Sequence, residues 1–254
     1  MEKVLNGQRT LVREIDVLPP DEQEELFLNI HQLTEASVEG CVVWDAAIVL
    51  LKFLFTPKGQ QLVKNCNVIE LGSGTGVVGL ASLLAGASSA YITDMQELIP
   101  LMKLNLEENF ELIKGCRKDL ALNDAEEKSF KKVKVAELKW GDEKSFKECV
   151  DFVSQEGSDE KEKVCLLIAD CVYYEQGADD LVKTITDIMS TFDSGSVALC
   201  SYAIRTTGDK VQVLKNFTKK LKNNNLSLSF VSNDDMDPVY QSDDISILKI
   251  TKLQ

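Results

Sequence analysis

The stretch NVIELGSGTGVVGLASLLAGASSAYITD, residues 67–94, decides the fold. NVIEL (67–71) is a short apolar run that ends in glycines, the pattern of a buried strand. GVVGLASLLAGA (76–87) is apolar over a helical length, and SAYIT (89–93) returns to a strand. Between them, Glu70-Leu71-Gly72-Ser73-Gly74-Thr75-Gly76 makes a turn where glycine permits positive φ and lets backbone amides approach a ligand closely. Asp94 stands 18 positions beyond Gly76, at the end of the second strand, where a carboxylate accepts hydrogen bonds from both hydroxyls of an adenosine ribose.

The glycines leave other readings open. Gly74-Thr75-Gly76-Val77-Val78-Gly79 satisfies G-x-G-x-x-G, so a nicotinamide or flavin dinucleotide fits the spacing as well as S-adenosylmethionine (SAM) does, and all contain adenosine. The same glycines suit a tight turn with no ligand. An NAD-linked oxidoreductase would need a proton donor beside its hydride acceptor, and Tyr173 is the candidate.

Outward from this unit the alternation continues. IPLMKLNLEENF (99–110) reads as a helix with Pro100 in its first turn. VKVAELKW (133–140), VCLLIAD (164–170) and SVALCSY (196–202) read as strands, with helices over 177–192 and 209–223. LSLSFVS (226–232) and DISILKI (244–250) close the chain as two successive strands. Upstream, WDAAIVLLKFLF (44–55) is a helix buried against the sheet, and Thr56-Pro57 marks its stop. TLVREIDV (10–17) and LFLNIHQL (26–33) alternate in polarity around LPPDEQEE, an antiparallel hairpin with His31 as an ordinary surface or edge residue.

The expected architecture is α/β: a seven-strand, mostly parallel, doubly wound Rossmann-like sheet with an antiparallel edge strand and an N-terminal β-hairpin. Residues 1–40 form the hairpin extension packed on the core, and 41–254 form the main domain. Residues 115–132 and 142–163 are too polar for the core and read as surface loops or amphipathic excursions.

Composition narrows the function. With 254 residues, 44% of them hydrophobic, the chain can bury one sizeable α/β core. It has no apolar run of about 18 residues and no apolar core of a secretion signal, so the expected location is the cytoplasm or nucleus and no membrane partner is expected. Seven scattered cysteines without a C-x-x-C pair are expected to be reduced and mostly buried. A single histidine disfavours hydrolases and zinc enzymes, and no metal is expected. A net charge of −13 disfavours nucleic acid and suits a basic protein partner; the chain is expected to act as a monomer.

Asp170-Cys171-Val172-Tyr173-Tyr174 follows the strand VCLLIA, at the end of the sheet where open α/β proteins place reactive groups. The plainer reading has Asp170 capping a helix that begins near Glu175 and the tyrosines packing on the sheet.

VVWDAAIVL, VIELGSGTGVVGL, ITDMQEL with LNLEEN, LKWG and ADCVYY occur in this order. Together they resemble the eukaryotic seven-β-strand protein-lysine methyltransferases that carry an Asp-x-x-Tyr motif. Through GCVVWDAAIVL, ELGSGTG, LKWG and ADCVYY, the chain is most similar to the branch acting on valosin-containing protein, an AAA ATPase. The resemblance implies a protein-lysine substrate, SAM as methyl donor and S-adenosylhomocysteine as product.

It implies that Gly72, Ser73 and Gly74 bracket the methionine part, that Asp94 holds the ribose, and that Trp140 and Ala169 border the adenine. Trp44 closes the pocket from the N-terminal side, and Glu70 helps hold the ammonium end. Asp170 then positions the lysine nitrogen, and Tyr173 shapes its channel with a hydroxyl or a ring face. The two tryptophans also suit an ordinary core role. A sulfonium methyl is already activated, so the chemistry needs an oriented, neutral amine rather than a histidine base.

Overall fold

A computed structural model describes all residues except 1, 2, 6, 19–24, 36, 37, 124–128, 155–161, 174, 176, 193, 194, 205–209 and 254. In chain order the strands and helices are β1 (Val4–Leu5), β2 (Gln8–Arg9), β3 (Leu11–Asp16), β4 (Phe27–Gln32), α1 (Asp45–Phe55) and α2 (Pro57–Val63). There follow β5 (Asn67–Leu71), α3 (Val77–Leu84), β6 (Ser89–Asp94), α4 (Ile99–Glu108), α5 (Phe110–Cys116), β7 (Val133–Glu137), α6 (Glu143–Val153) and β8 (Val164–Ala169). The chain ends with α7 (Ala178–Thr191), β9 (Val197–Ala203), α8 (Lys210–Asn223), β10 (Leu226–Phe230) and β11 (Ile245–Lys252).

Among the described residues, seven strands form one sheet in the order β10-β11-β9-β8-β5-β6-β7. The central pairs β8–β9, β5–β8, β5–β6 and β6–β7 are parallel. β11 runs antiparallel to both neighbours, so the reversed strand lies second from the edge, under β10. The strand order reverses beside β5, which opens the crevice where such sheets bind ligands.

The central strands are buried on both faces, which is why they read as continuous apolar runs. Alternate residues serve different layers. Val68, Cys165, Leu167 and Leu199 face a core shared with α1, α3 and α4, whereas Ile69, Leu166, Ile168 and Cys200 face α6, α7 and α8. Leu50, Leu51, Phe53 and Leu54 of α1 are fully buried, each contributing about 1.5–3 kcal/mol of apolar transfer energy. Lys52 is the exception in this helix: its ammonium donates to Leu18 O at 2.6 Å, and lies 3.7 Å from Asp16 and 4.7 Å from the centroid of the Tyr240 ring. Cys41, Cys66, Cys149, Cys165 and Cys200 are buried thiols, in line with the sequence.

Four expectations need correction. Thr56-Pro57 ends α1 but also begins α2, because Thr56 Oγ1 accepts from Gly59 N at 3.1 Å and Pro57 suits the first helical position. A Cβ at Gly59 would sit 1.9 Å from Phe53 O, so glycine permits the sharp corner. The helix expected over 99–110 breaks at Asn109, whose side chain is drawn to other backbone groups. The two polar stretches are not excluded from the core: each supplies buried residues, Leu120 and Phe130 in one and, in the other, Cys149 and Val153 on the inward face of α6, which is the amphipathic alternative. His31 is on a strand but fully buried: its Nδ1 pairs with Thr10 Oγ1 at 2.7 Å and its Nε2 lies 3.4 Å from Glu108. Packing of Tyr174 falls outside the described residues, as do residues 19–24 of the expected hairpin loop.

The hairpin β3–β4 meets the helical layer through two asparagines, Asn105 of α4 and Asn109 between α4 and α5. Asn109 Oδ1 accepts from Asn29 N and its Nδ2 donates to Asn29 O, both at 2.9 Å. Asn105 repeats this with His31 N (2.7 Å) and His31 O (3.1 Å). The fit is metric: residues four apart on a helix rise about 6 Å, and residues two apart on a strand about 6.6 Å. Two amide side chains, Asn105 on α4 and Asn109 directly after it, thus pair with β4 as a neighbouring strand would. Asn105 Nδ2 also donates to Thr75 O at 2.9 Å, joining the hairpin to the glycine turn.

Replacing Asn105 by alanine leaves buried His31 and Thr75 backbone groups without partners, a loss of about 2–4 kcal/mol. Urea denaturation measures it; a loss below about 0.5 kcal/mol would show that the amide is dispensable.

Candidate functional site

The turn after β5 is fixed by hydrogen bonds to β6. Ser73 N and Ser73 Oγ both donate to Thr93 O at 2.9 Å, and Thr93 N donates back to Ser73 Oγ at 2.9 Å. Thr93 Oγ1 donates to Glu70 O at 2.6 Å. The next residue, Asp94, then faces the turn: its Oδ2 accepts from Gly74 N and its Oδ1 from Met95 N, each at 2.7 Å. Burial raises the Asp94 carboxyl above its ordinary range against these two bonds.

Two glycines here are required by contact. A Cβ on Gly72 (φ 65°) would lie 2.5 Å from Cys171 Sγ and 3.0 Å from Trp140 Cζ2. A Cβ on Gly74 (φ 57°) would lie 2.5 Å from Gly40 O. The segment 38–44 therefore crosses the turn at van der Waals contact. It is held there by the hairpin: Leu33 N donates to Cys41 O, Val43 N to Gln32 Oε1, and Arg13 Nη1 to Val43 O. Trp44 follows as the residue before α1 and is 49% exposed.

Glu70 is the most unusual group. It is 2% exposed, and its Oε2 accepts from Gly79 N, in the first turn of α3, at 2.9 Å. Burial pushes its carboxyl up to about 8, opposed by the Gly79 bond. The helix terminus that would receive a phosphate is thus already bonded to the protein's own Glu70 carboxyl group.

On the other side of the crevice, Asp170 follows β8 with φ 52°, a left-handed conformation that a non-glycine residue holds only when its surroundings enforce it. Its backbone N donates to Ser201 O at 2.8 Å and its Oδ1 accepts from Ala203 N at 3.2 Å. Bonds to β9 thus turn the chain out of the sheet, and Asp170 does not cap the next helix, whose first residue is Ala178, after Gly177. Tyr173 lies beyond this kink, hydrogen-bonded to Glu39, with its phenol pushed up by burial and then by that carboxylate.

Trp44, Glu70, Gly72, Ser73, Gly74, Asp94, Trp140, Ala169, Asp170 and Tyr173 all line one cavity of about 340 Å³. Its other walls include residues not foreseen from sequence: Glu39 and Gly40 on the crossing segment, the exposed Met95, Cys171 and Asp180. Gly40, directly before the apolar CVVWDAA run, was the available signal for the crossing segment. Five acidic side chains (Glu39, Glu70, Asp94, Asp170, Asp180), of which Glu70 keeps its proton up to about pH 8, line the cavity against one ammonium, Lys139. Such a lining suits cationic ligands and repels a pyrophosphate.

This open, mostly parallel sheet with its cavity at the carboxyl ends of β5, β6 and β8 is the seven-strand methyltransferase fold. A Streptococcus mutans structure described as a candidate SAM-dependent methyltransferase shares it, with a TM-score of 0.53 at 14% identity over 89% of this chain and 53% of that one. A family model described as lysine methyltransferase matches residues 22–224. Protein N-lysine methyltransferase METTL21A of Danio rerio is 34% identical over 171 residues, which are 67% of this chain and 64% of that protein. Protein-lysine N-methyltransferase EFM6 of Saccharomyces cerevisiae is 32% identical over 200 residues, 73% and 70% of the two chains. The chain belongs to the lysine methyltransferase family.

Because Glu70 keeps its proton up to about pH 8 when folded and releases it near pH 4.5 when unfolded, stability falls as pH rises between these values. Glu70→Gln preserves an acceptor for Gly79 N and should flatten this dependence in thermal denaturation from about pH 5 to about pH 8. Parallel curves for the two proteins would refute the assignment.

Proposed function

We propose that this chain is a SAM-dependent protein-lysine N-methyltransferase. The observation that carries the reading is the acidic lining of the cavity, together with the Glu70 carboxyl group already bonded at the helix terminus. A dinucleotide needs that terminus for its pyrophosphate, whereas SAM presents a sulfonium and an ammonium, and a lysine brings a second cation. The donor set fits SAM throughout: Asp94 for the ribose hydroxyls, Glu70 for the ammonium, and Trp140 and Ala169 as apolar walls for the adenine.

When bound, SAM supplies a methyl group that needs no further activation. The chain's residues handle the amine. A free lysine has a pKa of about 10.4 and is inert while protonated, so it must be desolvated, relieved of a proton and aligned. Asp170, fixed by the backbone of β9, is placed to accept a hydrogen bond from the nitrogen and orient its lone pair. Tyr173 narrows the entrance and offers a hydroxyl, and its ring face suits a methylated ammonium. Trp44 and Met95, exposed at the rim, provide apolar surface for the lysine stem and its flanking chain.

The proposed substrate is a lysine of valosin-containing protein. The similarity of GCVVWDAAIVL, ELGSGTG, LKWG and ADCVYY to that branch of the family supports this choice. Labelled methyl transfer from SAM to that ATPase and to cell extract, with mass spectrometry of the product, tests it. A labelled lysine on another protein would overturn the substrate and keep the chemistry.

Asp170→Ala should abolish transfer and leave SAM affinity within a few fold, whereas Asp94→Ala should weaken SAM binding by roughly 10–100-fold, as loss of a charge-assisted pair does. Calorimetry with SAM decides between the roles, and equal loss of binding in both variants would refute the division.

A further inference from the structure

A lysine ammonium entering the cavity must lose a proton before its nitrogen can attack. The sole histidine does not serve, since His31 is buried against Thr10 and Glu108 in the hairpin contact. Asp170 can orient the nitrogen, but a proton left on that carboxyl would remain inside the cavity, beside the reacting pair.

The crossing segment supplies an alternative. Glu39 is exposed to solvent, lines the cavity and is hydrogen-bonded to Tyr173. A carboxylate can only accept, so the phenol donates and its oxygen lone pairs remain to receive a bond from the substrate. The position of Glu39 is enforced: Gly40 lies against Gly74, and the hairpin holds Cys41 and Val43 from the other side.

We infer that Glu39 and Tyr173 form a proton exit for the substrate ammonium. The inference rests on the lysine methyltransferase reading. The ammonium N–H gives its proton to Tyr173 Oη as the Tyr173 O–H proton passes to a Glu39 carboxylate oxygen. The N–H bonding pair becomes the amine lone pair, Tyr173 ends neutral as it began, and Glu39 ends as the acid. Solvent water then takes the proton from Glu39. Tyr173 never becomes a phenolate, in keeping with burial that holds its proton firmly. Glu39 acts through Tyr173 and is therefore a positioning and proton-accepting residue.

The charged and titratable groups facing this pair are Asp170 and Cys171 beside Tyr173, Asp94 after the turn, Glu70 under it, Asp180 on α7 and Lys139 after β7. Glu70 titrates near pH 8, inside the useful range. It does so in wild type and variants alike, so the difference between their pH profiles isolates the relay.

The test measures initial rates at saturating SAM for wild type, Glu39→Gln, Tyr173→Phe and the double variant. The acceptor is recombinant valosin-containing protein, or cell extract where the ATPase is not labelled. At about pH 7, Glu39→Gln should lower kcat roughly 10–100-fold, and at about pH 9.5 the deficit should shrink to roughly threefold as neutral lysine becomes available from solution. SAM affinity and Tm should stay at wild-type values. Tyr173→Phe should behave alike, and the double variant should lose no more than either single one. A deficit that is equal at both pH values, or that falls on KM alone, overturns the relay. Additive losses do the same. If Glu39→Gln proves unstable, Tyr173→Phe carries the same pH comparison. Wild type that binds SAM but labels neither acceptor at any pH would instead sink the methyltransferase reading, and the relay with it.

Discussion

The reciprocal bonding of Ser73 and Thr93 is the constraint on which the site depends. Four hydrogen bonds tie the turn after β5 to the end of β6, and all lie in the interior, where a missing partner costs most. With the turn so fixed, the residue after Thr93 must be the one that faces Gly74, and the carboxylate of Asp94 is aimed by its neighbour rather than by its own rotamer alone. Gly72 and Gly74 follow as steric necessities, since Cys171, Trp140 and Gly40 already occupy the space a side chain would need.

The sheet was readable because its central strands are short, buried on both faces and bounded by glycine or polar turns. NVIEL, SAYIT and VCLLIA coincide with β5, β6 and β8 to within a residue. All ten residues singled out for the site line the cavity. Seven of them (Glu70, Gly72, Ser73, Gly74, Asp94, Ala169 and Asp170) sit at the ends of those strands, Trp140 lies against Gly72, and Trp44 and Tyr173 come from the segment before α1 and from beyond the kink after β8. Less legible features depended on contacts between distant segments. The burial of His31 is set by α4, more than seventy positions away, and β4 alone gives no sign of it. Glu39 lies in an irregular segment whose path is dictated by the hairpin and the glycine turn together. The corner at Thr56 escaped notice because a Thr-Pro pair ends one helix and starts another with the same chemistry.

The acidity of the chain is concentrated to local effect. Five acidic side chains face one cavity, and one of them, Glu70, is so deeply placed that it holds its proton to about pH 8. An arrangement of this kind works against the fold, because buried like charges repel and desolvation favours neutral forms. Such local conflicts with stability concentrate at functional sites, and a ligand that carries positive charge, as proposed for this chain, would relieve this one.

Asn105 of α4 and Asn109 after it have a further consequence for the order in which the molecule is assembled. Asn105 lies 74 positions after His31, so at roughly 5–20 residues per second a ribosome needs about 4–15 s to deliver the partner that the β4 backbone awaits. During that interval the hairpin has emerged with one edge unpaired, exposed to whatever else can form a strand beside it. Completion of α4 closes that edge and, through the same amide, ties down Thr75 in the glycine turn. The glycine turn, held by β6 from the time Thr93 appears, gains this further bond only when α4 is complete, and the edge of the hairpin stays open until then.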